Sequence, residues 1–337
     1  MKKIIVLNIV LLLSLSSIFG QSSNANDTSK LLSGRYFGQE EPGLQAKLFA
    51  PGIISTGMFE LNSIYSHDYK EFYYSVRILE GPVSIACRKY QNNQWTEAEV
   101  VSFSGGQYMD VDPCISQDGK SMFFASNRPV DKSQKANSNF DIWRVVKVND
   151  EWGEPEILDI NSEQNEFYSS ITNDGTLYFS SGRNNASGGA DIYKSEFIDN
   201  KFQAAQKLEG DINDFSEGDV FVSAKGDYLI FDCQGRKEGT GLYISFKKNN
   251  VWDTPIFMGK EVNSSGTEYS PVVSPDGKYL FFSSWKKTLK VPTNTPVTYK
   301  DYVSYYSDQC SPQNGHPDIY WIDAKIIDKL RNENNRR

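Results

Sequence analysis

Short runs of aromatic, β-branched and small polar residues recur along the chain, and each run follows a tight-turn motif. The clearest copy is Ser274–Ser284, in which Ser-Pro-Asp-Gly-Lys precedes Tyr-Leu-Phe-Phe-Ser-Ser. Two strong copies begin at Ser116 and Thr172, a weaker one begins at Ser223, and the most degraded begins at Ser66. Asp-Gly favours a tight turn because glycine tolerates a positive φ, and the apolar run after it is typical of a buried strand.

The turn position falls at residues 69, 119, 175, 226 and 277, so neighbouring copies lie 50 to 56 residues apart. Each copy has a further strand with Asp-Ile-aromatic or a related triplet, and in the first four copies a Trp or Phe strand follows after a polar turn. Repeats of this length, made of strands and turns, indicate a β-propeller. We therefore predict an all-β fold over residues 44–323, a β-propeller of five four-stranded blades, with six blades as the alternative.

The fifth copy lacks the last strand of the repeat. After Trp321 the chain changes to the helical spacing of Ile326, Ile327 and Leu330, which predicts a C-terminal helix and tail over residues 324–337. The segment Lys47–Phe49 stands before the first copy much as a similar segment stands before the third. We expect the N-terminal segment to supply the missing outer strand and to close the ring without an open edge.

The N-terminus has the pattern of a secretory signal. Two lysines precede the apolar run Ile4–Leu15, which is too short to span a bilayer comfortably, and small residues stand near Gly20. We predict a signal peptide over 1–20, a Ser- and Asn-rich leader over 21–43, and an exported protein that is periplasmic or secreted. No later segment is apolar enough to predict a membrane span in the mature chain.

The charge balance bears on the kind of partner. The chain has 35 basic and 43 acidic residues, and loss of the two lysines at the N-terminus would leave 33 against 43. Binding to nucleic acid requires a basic face, so this class of partner is excluded. The cysteines could form two disulfides in three pairings or remain isolated buried thiols, and their spacing does not decide. They are Cys87, Cys114, Cys233 and Cys310.

The motif at 274–284, followed by Asp-Ile-Tyr at 318–320, resembles the WD40-like (PD40) repeats of the TolB-type propeller family. The resemblance covers about residues 47–323. It implies a propeller of the periplasm or cell envelope that binds other proteins. Two features depart from the family: TolB-type propellers usually have six blades, and this chain has no room for the separate N-terminal α/β domain of TolB.

Every copy has a carboxylate nine residues before the turn position. These residues, the ring acids, are Glu60, Asp110, Glu166, Glu217 and Glu268. The position lies just before the first strand of each blade, so we expect the ring acids to surround one mouth of the central channel. They could bind a cation or a basic peptide there. Alternatively, they brace the blades by accepting hydrogen bonds from backbone N–H groups.

A basic residue follows the second strand in every copy. These residues are Arg77, Arg128, Arg183, Arg236 and Lys286. The planar guanidinium of arginine suits carboxylates, so we predict structural pairing. The partners are the ring acids or the acids that open the third strands, Asp141, Asp191 and Asp318.

An insertion at Lys286–Pro317 interrupts the last copy and is rich in tyrosine. Long insertions in compact folds are usually functional or disordered. Tyrosine provides contact area at a low cost in conformational entropy, which suits recognition of a partner. We therefore predict partner binding at Tyr299, Tyr302, Tyr305 and Tyr306.

Signatures of catalysis are scarce in this sequence. His67 and His316 are the only histidines, and no hydrolase, zinc or calcium motif occurs. We predict no catalytic residue, no metal and no cofactor, and a monomeric, non-catalytic propeller that binds a protein of the periplasm or cell envelope. A carbohydrate-binding or glycan-cleaving propeller is the alternative, since carboxylates that could form a catalytic pair are abundant.

Overall fold

The computed structural model describes residues 32–77, 80–183, 189–288 and 298–336. They form five antiparallel sheets around a central channel, which confirms the predicted all-β, five-bladed propeller. The predicted signal peptide lies outside the described residues, as does part of the tyrosine-rich insertion, residues 289–297.

The strands follow the repeat. The first strand of the described residues is β1 (Lys47–Leu48), and blade one contains β2 (Phe59–Tyr65), β3 (Glu71–Arg77), β4 (Ser84–Gln91), β5 (Gln94–Trp95) and β6 (Glu99–Val100). Blade two contains β7 (Asp110–Ile115), β8 (Ser121–Ser126), β9 (Asp141–Val148), β10 (Glu151–Trp152) and β11 (Glu156–Ile157). Blade three contains β12 (Glu166–Ile171), β13 (Leu177–Ser181), β14 (Asp191–Ser195), β15 (Phe197–Ile198), β16 (Lys201–Phe202) and β17 (Gln206–Lys207).

Blade four follows a 3₁₀ turn at Asp211–Asn213 and contains β18 (Ser216–Val222), β19 (Tyr228–Gln234), β20 (Gly241–Lys248), β21 (Val251–Trp252) and β22 (Ile256–Phe257). Blade five contains β23 (Glu268–Val273), β24 (Tyr279–Ser284) and β25 (Asp318–Asp323). Two helices complete the described chain, α1 (Tyr299–Gln309) and α2 (Lys325–Asn334). In blades one to four, a short hairpin precedes the two-residue outer strand, so the fourth strand is broken into two pieces.

The N-terminal strand closes the ring. β1 pairs antiparallel with β25, with Lys47 opposite Trp321 and Leu48 opposite Tyr320. The innermost strands of blades one and five, β2 and β23, also contact each other. The missing outer strand of blade five is therefore supplied by the start of the propeller chain, as predicted.

The predicted turns adopt the left-handed conformation that selects glycine. The φ angles of Gly119, Gly175, Gly226 and Gly277 lie between +68° and +86°. The most degraded copy has Tyr69 at this position, with φ of 59°. A left-handed conformation costs a residue with a side chain roughly 1–2 kcal/mol. The Tyr69 hydroxyl offsets part of this cost by accepting a hydrogen bond of 2.8 Å from the backbone N–H of Asp276 in blade five.

Separate apolar cores lie between neighbouring blades, and the core between blades one and five includes the N-terminal segment. Phe37 and Phe49 are fully buried there, and Phe37 stacks on Trp95 at 4.6 Å between ring centroids. The packed chain thus already includes Phe37, whereas the sequence placed residues 21–43 in a leader. At the other end, Ile326, Ile327 and Leu330 of α2 are buried against blades four and five.

Candidate functional site

The ring acids occupy equivalent places at the start of the five inner strands, and each is at most 2% exposed. Three of them form ion pairs with the basic residue that follows the second strand of the same blade. The pairs are Asp110–Arg128 at 2.6 Å, Glu166–Arg183 at 3.0 Å and Glu217–Arg236 at 3.1 Å. Their burial leaves these carboxylates little surface to offer a ligand.

Each of these arginines also ties the blade to the loop before its inner strand. Arg128 donates to the carbonyl of Phe103 at 3.1 Å, and Arg183 donates to the carbonyl of Ile160 at 2.7 Å. Arg236 donates in the same way to the carbonyl of Ile212 at 3.3 Å. A bidentate guanidinium can serve both acceptors at once, which lysine cannot do with the same geometry. These contacts favour the bracing role of the acids.

Blades one and five hold their ring acids differently. Glu60 accepts hydrogen bonds from the backbone and hydroxyl of Thr56, and Glu268 accepts from the backbone of Ser265 at 2.8 Å. Arg77 packs on the ring of Phe59 instead, with its guanidinium carbon 4.3 Å from the ring centroid. Burial raises the pKa of Glu60 to about 7; the hydrogen bonds from Thr56 oppose this rise, and the charge of Asp318 adds to it.

Among the described residues, the acids that open the third strands form no ion pair with these arginines. Asp191 pairs with Lys207 at 2.8 Å, and Asp318 accepts from the backbone N–H of Gln313 at 2.6 Å. Burial raises the pKa of Asp318 to about 7 and that of Asp141 to about 6. Lys286 forms no ion pair among the described residues.

A second ring of residues, which the sequence analysis missed, lies deeper in the channel. Every inner strand has a β-bulge just after its ring acid, where an extra residue interrupts the pairing with the second strand. The residue two positions after each ring acid belongs to this bulge layer. Its members are Asn62, Asp112, Tyr168, Asp219 and Ser270.

Tyr168 reaches across the channel. Its hydroxyl donates to the carbonyl of Pro271 at 2.7 Å, which links blade three to blade five past blade four. Tyr168 also lines a cavity of about 210 Å³ formed by the inner strands of all five blades, at the end with the Asp-Gly turns. No Asp, Glu, Lys or Arg is among the described residues that line this cavity.

Three carboxylates share the channel near Tyr168. These channel carboxylates are Asp112, Asp219 and Asp232. Asp112 and Asp219 stand at the bulge positions of the inner strands of blades two and four. Burial raises the pKa of Asp219 to about 6. Burial, together with the negative charge of Asp219, raises the pKa of Asp112 and of Asp232 well above the ordinary range.

Hydrogen bonds fix these carboxylates to the bulge layer. The hydroxyl of Ser270 donates to Asp219 at 2.6 Å, and the backbone N–H of Asp219 donates to Asp232 at 2.6 Å. The backbone of Tyr168 donates to Asp112. None of the ion pairs formed by the described residues includes a channel carboxylate. Counting two residues beyond each ring acid could have located two of the three, but Asp232 comes from a second strand.

Helix α1 presents a solvent-exposed apolar face. Thr298 and Asp301 form a capping box at its N-terminus, and no residue of the helix is buried. Four side chains at helical spacing form the α1 stripe: Tyr299, Tyr302, Val303 and Tyr306, which are 83%, 61%, 53% and 72% exposed. Tyr305 is partly buried and stands beside the stripe. The tyrosine-rich insertion thus includes a helix, although the sequence analysis assigned it no secondary structure.

The C-terminal end of α1 is fixed to blade one. The side-chain amide of Asn314 donates to the carbonyl of Gln309 at 2.8 Å and to that of Gly57 at 2.9 Å. Gly57 is required for this approach, because a β-carbon there would collide with the backbone of Cys310. The helix is therefore held on the propeller at the junction of blades five and one.

The remaining candidates for reactive, metal-binding or membrane-spanning elements among the described residues are the cysteines, clusters of metal-ligating side chains and the helices. All four cysteines are free, with Cys310 exposed and the other three buried. No group of three or more potential metal ligands among the described residues is close enough to hold an ion. In the same part of the chain, no helix is long and apolar enough to cross a membrane.

Several solved propeller structures are similar to this chain, all with low TM-scores and low sequence identity. No family profile matches the chain, and no curated protein matches it either. TolB from Acinetobacter baumannii has a TM-score of 0.47 and 17% identity, over 79% of this chain and 57% of that one. A TolB candidate from Agrobacterium tumefaciens has a TM-score of 0.48 and 13% identity, over 79% of this chain and 90% of that one.

A gluconolactonase from Xanthomonas campestris is similar to the same degree, with a TM-score of 0.43 and 11% identity over 75% of this chain and 94% of that one. The neighbours thus include enzymes as well as TolB proteins. TM-scores and identities of this size assign neither a family nor an activity to the chain.

Proposed function

We propose that this chain is a non-catalytic propeller that binds a protein partner through helix α1, as an exported protein of the periplasm or cell envelope. The signal-like N-terminus motivates the location. The observation that carries the binding role is the α1 stripe, in which three tyrosines and a valine at helical spacing face solvent.

An exposed stripe of this kind suits a contact with a second protein. Tyrosine is enriched among the side chains that dominate binding energy, and it loses few rotamers when it is covered. The capping box and the bond from Asn314 to blade one hold the helix in place before binding. A pre-ordered helix loses less conformational entropy on binding than a flexible loop, which favours affinity.

Two features support a non-catalytic role. The cavity of about 210 Å³ has no carboxylate among its described lining residues, so it lacks the acid pair that a glycosidase needs. The ring acids, which could have supplied such a pair, are at most 2% exposed. They serve the blades as hydrogen-bond acceptors instead.

The alternative is a carbohydrate-binding or glycan-cleaving propeller, and the channel carboxylates favour it. A carboxyl with a raised pKa next to an ionised one is the arrangement that acid catalysis uses. Release of reducing sugar from peptidoglycan or arabinoxylan by the wild-type protein, with loss of release in Asp219→Asn, would support this alternative and contradict a purely binding role.

The test of the proposed function is capture of a partner in the native cell envelope by chemical cross-linking and mass spectrometry. Tyr302→Ser/Tyr306→Ser removes two of the three tyrosines of the α1 stripe and leaves the capping box unchanged. Val148→Ser/Val251→Ser is the matched control, because both valines are exposed, at 61% and 66%, on the outer hairpins of blades two and four. We expect the control to retain the cross-linked partner and the tyrosine variant to lose it. Equal capture by both variants would contradict the proposal.

A further inference from the structure

The cavity of about 210 Å³ at the end of the channel with the Asp-Gly turns, the turn-end cavity, contains polar side chains without partners in the protein. Asn62, Ser63 and Ser169 line it, and each is at most 5% exposed. The side-chain oxygens of Asn62 and Ser169 are buried without a hydrogen-bond partner, and the Ser63 side chain takes part in none of the described hydrogen bonds. Buried polar groups are nearly always hydrogen-bonded, so this cavity has bonding capacity that the protein leaves unused.

The turn-end cavity is closed at one end and open at the other. At the bulge layer, the hydroxyl of Tyr168 donates across the channel to the carbonyl of Pro271 at 2.7 Å, and both residues line the cavity. At the opposite end, the lining residues His67, Ala224 and Gly277 belong to the turns and are exposed. A ligand would therefore enter from the face of the propeller that carries the turns.

The walls of the cavity favour an uncharged ligand. Ile64, Ile115, Val222 and Val273 contribute aliphatic surface beside the polar side chains. No Asp, Glu, Lys or Arg is among the described lining residues, so a charged ligand would lose its hydration without gaining a counterion. The mixture of hydroxyl, amide and aliphatic groups suits a molecule that combines hydrogen-bonding groups with C–H surface.

The size of the cavity limits the ligand to a small molecule. Pockets for drug-sized ligands measure about 300–1,000 Å³, so a volume of about 210 Å³ suits one small ring or a short open chain. Water fits as well, but water against aliphatic walls forms few hydrogen bonds. Its replacement by C–H groups favours binding of a ligand that also supplies hydroxyl groups.

We propose that the turn-end cavity binds a small neutral polyol, a molecule with several hydroxyl groups and no charge. Each hydroxyl of a polyol both donates and accepts, so it can pair with the amide of Asn62 and with the hydroxyls of Ser63 and Ser169. The C–H groups of the polyol pack against the aliphatic walls.

This site is separate from the proposed protein interface. Helix α1 is fixed through Gly57, which lies just before the start of β2, whereas His67 at the cavity opening follows the end of β2. The two sites are therefore at opposite ends of the inner strands. The inference goes beyond the proposed function and does not depend on it.

The experiment measures binding of glycerol, myo-inositol and D-glucose by calorimetry, at millimolar ligand concentrations and in a buffer free of other polyols. Gluconate and protonated glucosamine are the charged comparisons, because they are close to glucose in size. The variant Ser63→Ala/Ser169→Ala removes two hydroxyls that take part in no described hydrogen bond, so it should fold with nearly unchanged stability. Ser102→Ala/Ser304→Ala is the matched control, at two exposed serines outside the cavity.

We expect at least one of the three neutral polyols to bind the wild type and the control equally, and to bind Ser63→Ala/Ser169→Ala about tenfold more weakly. The charged analogues should bind at least about tenfold more weakly than glucose or inositol. Ala224→Trp, at an exposed residue of the opening, is a second variant that leaves the interior unchanged and should also weaken binding.

Three results would overturn the inference. The first is no binding of any neutral polyol, which would mean that the cavity holds water only. The second is binding of a charged analogue as tight as that of the neutral polyols. The third is wild-type affinity in Ser63→Ala/Ser169→Ala or in Ala224→Trp.

The two proposals fail separately. Tyr302→Ser/Tyr306→Ser should bind the polyol as the wild type does, since it leaves the cavity unchanged. Loss of partner capture in that variant without polyol binding by the wild type would overturn the cavity inference alone. Polyol binding with capture unaffected by the tyrosine variant would overturn the proposed role of α1 alone.

Discussion

The carboxylate of Asp232 lies against the α-carbon of Gly218, in the space that a β-carbon takes at the equivalent position of the other four blades. The backbone N–H of the next residue, Asp219, donates to the same carboxylate at 2.6 Å. This contact is possible only because position 218 has no side chain.

Gly218→Ala should therefore destabilise the propeller. The new methyl group displaces Asp232 and breaks its bond with Asp219, an overpacking effect of about 1–3 kcal/mol in the free energy of unfolding. Adding Asp232→Ala should recover most of the loss, since blade two has Val111 opposite Ala125. Gly105→Ala is the control, because no atom lies within 4 Å of the added carbon. Urea unfolding measures all four proteins, and an unaffected Gly218→Ala would contradict the contact.

Arg128 allows a comparison between a buried and an exposed ion pair of almost equal length. Arg128–Asp110 measures 2.6 Å with side chains 9% and 1% exposed, and Lys132–Glu154 measures 2.7 Å with side chains 79% and 82% exposed. Arg128→Met leaves a buried carboxylate without its partner and should cost about 3–5 kcal/mol of stability. Lys132→Met should cost less than about 1 kcal/mol. Similar losses in the two variants would show that Arg128 does not act as a brace.

The raised pKa of Glu60 predicts that the stability of the propeller depends on pH. Its pKa in the folded protein is raised from 4.5 to about 7, so the folded state binds this proton more tightly than the unfolded chain does. The associated stabilisation is fully present below pH 4.5 and is lost as the pH rises through 7, by at most about 3 kcal/mol.

Glu60→Gln mimics the protonated side chain, so it should become more stable relative to wild type as the pH rises from 5 to 8. Urea unfolding at several pH values measures this difference. Glu163→Gln, at an exposed side chain that forms no ion pair among the described residues, is the control and should leave the pH dependence unchanged. A difference between wild type and Glu60→Gln that does not grow with pH would contradict the raised pKa.

A substitution at Phe49 tests whether the N-terminal segment stabilises the closed ring. It is fully buried, and its ring lies 5.6 Å from that of Phe72 in blade one and 4.9 Å from that of Phe281 in blade five. Phe49→Ala should cost about 3–5 kcal/mol of stability because it leaves a cavity at the junction. Val130→Ala, at a side chain that is 69% exposed, should change stability by less than about 0.5 kcal/mol. A loss at Phe49 as small as at Val130 would argue against a structural role of the N-terminal segment.

The repeats and their closure were predictable because they depend on short-range rules. Gly119 and Gly277 mark turns that need a positive φ, and the apolar strand after each turn has a recognisable pattern. The closing strand was predictable from the number of strands in each copy. The fifth copy lacks an outer strand, and Lys47–Leu48 precedes the first copy without a blade of its own. The sequence therefore shows which turn or strand of the repeat each of these residues belongs to.

The exposure and the partners of side chains were less predictable. The bulge layer has Asn62, Asp112, Tyr168, Asp219 and Ser270 at one position, and residues so different in chemistry give no repeat signal. Asp232 joins them because Gly218 leaves room for its carboxylate beside the bulge, which sequence spacing does not reveal. For helix α1 a signal was present in the capping pair Thr298 and Asp301 and in the i, i+3, i+4, i+7 spacing of the stripe.

The central claim, that a partner docks on α1, is tested most directly by a photo-reactive amino acid placed at Tyr306 and, as control, at Val251, which is 66% exposed on blade four. After irradiation of the native cell envelope, the account predicts a discrete cross-linked protein from position 306 and none from position 251. The account would be contradicted if position 306 gave no product, or the same set of products as position 251.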